Sequence, residues 1–82
     1  MSQDTDVIAG LLDIFSLILK QDFSGREDVL CEEEAGWDSL KHLEIVFAAE
    51  DLFLVQFDEN EIPGLKSLKD FSVAIRRRQN AA

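Results

Sequence analysis

Gly36-Trp37-Asp38-Ser39-Leu40-Lys41-His42-Leu43-Glu44-Ile45-Val46-Phe47-Ala48-Ala49-Glu50-Asp51-Leu52-Phe53-Leu54 holds the decisive change of pattern in this chain. A long acidic connection ends at its first residues, and an apolar run with helical spacing begins. Asp38 is a preferred N-cap type, because its carboxylate can accept a first-turn amide. The spacing predicts a helix from about 39 to 54. With Asp38 as the cap, the Ser39 hydroxyl is free at the exposed start of that helix. Leu43, Ile45, Val46, Ala49, Leu52 and Phe53 cover most of the circumference. Lys41, Glu44, Ala48 and Asp51 share one stripe, and Leu40 and Phe47 lie along its edge. An acidic strip bordered by two large apolar side chains is therefore expected to face solvent near Ser39.

Upstream, Val7, Ile8, Leu11, Leu12, Phe15, Ile18 and Leu19 recur at three- and four-residue spacing. This predicts an amphipathic first helix over about 5–20, with Asp4, Thr5 or Asp6 as its cap. Residues 21–38 read as a long loop, broken at Ser24-Gly25 and solvated at Glu32-Glu33-Glu34. Val29 and Leu30 are expected to fold back onto the core. A loop of this length in a small domain is often functional or carries a turn of its own.

Downstream, 59–63 suits a short third helix that Pro63-Gly64 ends. Ser67-Leu68-Lys69-Asp70 reads as a capping box opening a last helix over about 67–78. Arg76, Arg77 and Arg78 suit the negative end of its dipole. The predicted fold is all-α: a small four-helix bundle in one domain, 1–82, with three main helices and a short third. Phe53 is expected at the centre of the core, against Leu12, Phe15, Phe71 and Ile75.

Eighty-two residues leave room for one core. Hydrophobic residues make up 46% of the chain, enough to fold despite the charge. A net charge of −9 argues against nucleic acid and for partners with basic surfaces. The lone Cys31 has no internal disulfide partner. The apolar run from Val7 to Leu19 contains Asp13 and is too short to span a bilayer. The expectation is a monomeric cytoplasmic protein with no membrane contact, no metal site and no catalytic activity of its own. The Gly-x-Ser-x-Gly turn of a serine hydrolase is missing, and a single histidine makes a triad implausible.

The segment Gly36-Trp37-Asp38-Ser39-Leu40, with Leu43-Glu44-Ile45-Val46 and Phe53 after it, resembles the acyl carrier protein family. The likeness runs on through Phe57, Glu61-Ile62 and Ser67-Leu68 to Ile75, roughly the last two-thirds of the chain. It implies that Ser39, with Asp38 as its motif neighbour, carries 4′-phosphopantetheine, attached from coenzyme A by a phosphopantetheinyl transferase. The terminal thiol would hold an acyl or aminoacyl group as a thioester. It also implies that partner enzymes read the second helix: loading ligases, synthases or transferases with basic docking patches. Leu40, Glu44, Phe47 and Asp51 fall on that surface. Ala35 and Ala49 depart from the commoner pattern, which suggests a specialised freestanding carrier.

Each residue also has a plainer reading. Ser39 could be only a helix-start residue, in which case the chain is an unmodified acidic adaptor or a nucleic-acid mimic. His42 reads as a passive surface histidine. Trp37 reads as partly packed, with its indole N–H near water. Cys31 reads as a small residue at the edge of the core.

Overall fold

Three amphipathic stretches form the helices of the computed structural model, which describes residues 3–23 and 25–80. They are α1 (Gln3–Leu19), α2 (Ser39–Phe53) and α3 (Leu68–Asn80). Two single 3₁₀ turns, Cys31–Glu33 and Ile62–Gly64, lie in the connections, and no strand is present among the described residues. The short third helix expected at 59–63 is not an α-helix. Pro63 disfavours the α region for the residue before it and lacks an amide, so the segment tightens into the turn Ile62–Gly64. A radius of gyration of 11.8 Å is that of a compact chain of this length.

α1 is the element that holds the others, packing on both α2 and α3. Val7, Leu11, Ile14, Phe15 and Leu19 form its buried stripe. Asp4, Thr5 and Asp6 lie inside α1, so its N-cap falls outside the described residues. α2 buries only Ile45, Val46 and Ala49. α3 buries Leu68, Phe71, Ala74 and Ile75.

The core centres on Phe71. The Phe15 and Phe57 rings meet it edge-on at 5.7 and 5.9 Å between centroids, and Trp37 meets Phe15 edge-on at 5.0 Å. Such pairs add about 0.5–1.5 kcal/mol beyond area burial. Phe53, expected at the centre, is only half-buried at the rim. It covers Gly10 instead: a Cβ at Gly10 would stand 2.8 Å from Phe53 Cζ and 3.2 Å from Leu52 Cδ2. α1 and α2 approach this closely because Gly10 has no side chain. Leu12 is half-buried too, whereas Phe15, Phe71 and Ile75 are fully inside. Phe23, from the long connection, is also buried.

α1 and α2 each close with a non-glycine residue in the left-handed conformation. Lys20 (φ 57°) follows α1 and Leu54 (φ 56°) follows α2. The Gln21 amide then reaches the Ser16 carbonyl and the Val55 amide reaches the Glu50 carbonyl, both at 3.2 Å. The Glu50 carboxylate accepts the Phe57 amide at 2.9 Å, turning the chain back into the core.

The long connection is pinned to the start of α3. Cys31 N–H donates to the Lys66 carbonyl (2.8 Å) and Leu68 N–H to the Val29 carbonyl (2.9 Å), and Leu30 forms an antiparallel bridge with Ser67. Val29 is fully buried and Leu30 half-buried, so the pair does fold back as expected. Ser24 of the expected break lies outside the described residues; Gly25 has φ +81°. The run Glu32–Glu34 is largely exposed, and its first two residues belong to a 3₁₀ turn. Ser67 Oγ accepts the Asp70 amide at 3.1 Å, and Asp70 Oδ2 accepts the Lys66 amide at 3.0 Å. The capping box thus forms with its return bond one residue early.

Candidate functional site

Asp38 sits in extended conformation just before α2, and its Oδ1 accepts the Lys41 amide at 2.9 Å. That bond satisfies one of the four unpaired amides of the first turn. Ser39 is thereby relieved of capping. It is exposed, and no described residue hydrogen-bonds its hydroxyl. The site residue inferred from the sequence is a free primary alcohol at the positive end of α2.

Beside Ser39 lies an open, mainly apolar cleft of about 920 Å³. The connection supplies Leu30, Cys31 and Trp37, α2 supplies His42 and Leu43, and the next segments supply Ile62, Pro63 and Leu65. Asp38 and Ser39 stand among its lining residues. Cys31 is half-buried, with Sγ 3.8 Å from the Trp37 carbonyl.

Trp37 and His42 depart from their expected roles. Trp37 is buried, and its indole N–H donates to His42 Nδ1 at 3.0 Å instead of meeting water. His42 is half-buried and engaged on its other side as well, with Nε2 2.7 Å from the Ile62 carbonyl oxygen. Its ring lies near-parallel to the indole at 5.9 Å and edge-on to Phe71 at 5.8 Å. The sequence did carry a signal for this pair. Trp37 and His42 occupy the N′ and N4 positions around the Asp38 cap, the spacing of a hydrophobic staple.

Leu40, Glu44, Phe47 and Asp51 are all exposed on α2. Leu40 and Phe47 keep 66% and 62% of their surface open, far more than core residues do. Leu43 joins them outside, and Leu52 is also exposed, so part of the apolar circumference read from the sequence lies open to solvent. Leu40, Leu43 and Phe47 thus form an apolar stripe at i, i+3 and i+7 with acids beside it. Near Ser39 the acidic charge is partly compensated, because Lys41 Nζ pairs with Glu44 at 3.4 Å.

Among the described residues, no group of three or more histidine, cysteine or acidic side chains could hold a metal ion. Among the same residues, no helix is long and apolar enough to cross a membrane. No protein-family model, curated protein or solved structure matches this chain.

Proposed function

We propose that this chain is a carrier of the acyl carrier type, with 4′-phosphopantetheine on Ser39. The observation that carries this reading is the pairing of an unengaged, exposed Ser39 hydroxyl with an Asp38 that already caps the helix. A phosphate ester at this position would lie at the N-terminus of α2, where the helix dipole favours negative charge. The adjoining apolar cleft offers the cargo shelter from water. The 3₁₀ turn Ile62–Gly64 takes the place of the short third helix of a four-helix carrier bundle.

In the attachment step, Ser39 Oγ attacks the pantetheine-side phosphorus of coenzyme A. A phosphodiester forms, the diphosphate bond breaks, 3′,5′-ADP leaves, and the hydroxyl proton passes to the transferase. The chain itself catalyses nothing. Its partners are the phosphopantetheinyl transferase and the enzymes that load and unload an acyl or aminoacyl group. Their basic patches would meet Leu40, Glu44, Phe47 and Asp51 on α2, approaching a chain of net charge −9 under electrostatic steering.

Incubation with coenzyme A, Mg²⁺ and a broad-specificity transferase tests this directly by intact mass. The expected result is one phosphopantetheinyl group per chain, on the peptide containing Ser39, and none on Ser39→Ala. An unmodified wild-type chain, or a modified Ser39→Ala, would overturn it.

A further inference from the structure

The two ring nitrogens of His42 have different partners, and the difference fixes the ring. Nδ1 accepts the Trp37 indole N–H at 3.0 Å, so it carries a lone pair. Nε2 faces the Ile62 carbonyl oxygen at 2.7 Å, which accepts only, so Nε2 carries the proton. His42 is therefore the neutral Nε2–H tautomer, held in one orientation by a donor on one side and an acceptor on the other.

Trp37, His42 and Ile62 come from three separate segments, and all three line the cleft beside Ser39. The Ile62–Gly64 wall rests on an apolar footing, Ile62 against the core and buried Leu65 just beyond, but among the described residues only His42 hydrogen-bonds its backbone from another segment. Its own bonds are local: Gly64 N–H to the Glu61 carbonyl at 2.9 Å and Leu65 N–H to the Ile62 carbonyl at 3.2 Å. Pro63 and Gly64 are exposed. On the far side Arg78 of α3 pairs with Glu61 and donates to the Gln56 carbonyl, anchoring the wall at its base. The wall is thus tethered at Glu61 by α3 and at Ile62 by α2, and His42 is the tether nearer the cleft.

We propose that the Trp37–His42–Ile62 relay is a latch that sets the width of the cleft. Breaking the His42–Ile62 bond lets the turn Ile62–Gly64 move about its Arg78–Glu61 anchor, and the widened cleft admits the apolar end of the cargo. Only the identity of the occupant rests on the carrier reading. The latch is a property of the unmodified chain, so its tests stand apart from modification of Ser39.

Long-range ¹H–¹⁵N correlation of the His42 ring should show the Nε2–H tautomer; the Nδ1–H pattern would overturn the latch. His42→Phe keeps a ring in the aromatic packing and removes both bonds. Amide exchange at Gly64 and Leu65 should then quicken by about fivefold, as loss of one ordinary hydrogen bond allows. Leu11 and Phe15, which exchange through global unfolding, should quicken only by the stability lost in a urea melt. Gly64 and Leu65 should exchange by a local, denaturant-independent opening, and the neutral probe N-phenyl-1-naphthylamine should bind more tightly. Unchanged exchange at Gly64 and Leu65 in that variant would overturn the proposal. Should His42→Phe fail to fold, the wild-type chain decides. Saturating N-phenyl-1-naphthylamine should quicken exchange at Gly64 and Leu65 above the probe-free rate, and an unchanged or slower rate would overturn it.

Discussion

Asp28 caps a helix that begins forty residues after it: its Oδ1 accepts the Lys69 amide at 3.0 Å across a sequence separation of 41. The same oxygen accepts the Val29 amide at 2.9 Å, so the carboxylate joins the long connection to the first turn of α3. Removing a carboxylate cap costs about 0.5–2 kcal/mol. Asp28→Ala should lose stability in that range by urea denaturation. Asp28→Asn, which keeps the acceptor oxygen, should lose less. Equal losses would show that charge, not the hydrogen bond, carries the effect.

Leu54→Gly should stabilise the chain. Leu54 holds a left-handed φ of 56° and leaves 88% of its side chain in solvent, so the substitution gives up little packing. A left-handed residue with a side chain carries a penalty of roughly 1–2 kcal/mol, partly offset by the greater unfolded-state freedom of glycine. A net gain of about 0.5–1 kcal/mol is expected, read as a higher urea midpoint at constant slope.

Gly10→Ala and Phe53→Leu should be coupled. In the wild-type chain the new methyl meets Phe53 Cζ at 2.8 Å, and Gly10→Ala should destabilise despite the better helix propensity of alanine. In a Phe53→Leu background the closest obstruction is gone and only the end of the exposed Leu52 side chain, at 3.2 Å, has to shift, so the same change should stabilise by up to about 1 kcal/mol. A double-mutant cycle measures this; the same sign in both backgrounds would refute the close approach of α1 and α2 at Gly10.

Phe71→Ala and Phe47→Ala should separate folding from recognition. Phe71 meets three other aromatic side chains edge-on, among them Phe15 and Phe57, and truncating it should cost about 3–5 kcal/mol. That approaches the roughly 5 kcal/mol total of a weakly stable domain, so the melt should broaden or vanish. Phe47 is mostly exposed, and its loss should shift the melt little. Slower modification of Phe47→Ala by the transferase, with an unchanged melt, would place it in docking.

Reversing Glu44 and Asp51 to lysine should slow association with the transferase and flatten its salt dependence. Both side chains are exposed, so the melt should shift by no more than about 1 kcal/mol. Modification at the wild-type rate across salt concentrations would exclude this face of α2 from docking.

The helices were legible because their apolar spacing is local. The Asp38 cap and the free Ser39 were legible for the same reason: both follow from residue type at a helix start. The side of α2 that meets α1 was not: Phe53, expected at the centre, sits at the rim, and Leu43 and Leu52 lie outside. α2 is apolar around most of its surface, so periodicity alone does not say which side meets α1; the gap at Gly10 decides it. Nor could Asp28, Glu50 and Arg78 be distinguished from solvated charges. Each bonds a backbone group in another segment: Asp28 that of Lys69, Glu50 that of Phe57, Arg78 that of Gln56. Spacing within a helix carries no trace of such distant partners. The expected short third helix failed on Pro63, whose local preference was visible but outweighed by the helix-forming look of 59–62.

The burial of Trp37 has a spectroscopic consequence. It is the chain's one tryptophan, no tyrosine competes with it, and its indole lies on the cleft with the His42 imidazole against it. Ultraviolet emission from this protein therefore comes from a single fluorophore beside Ser39. Arrival of an arm, a cargo or a docking enzyme would alter that emission directly, and each step of a carrier cycle could be timed in stopped flow without a label.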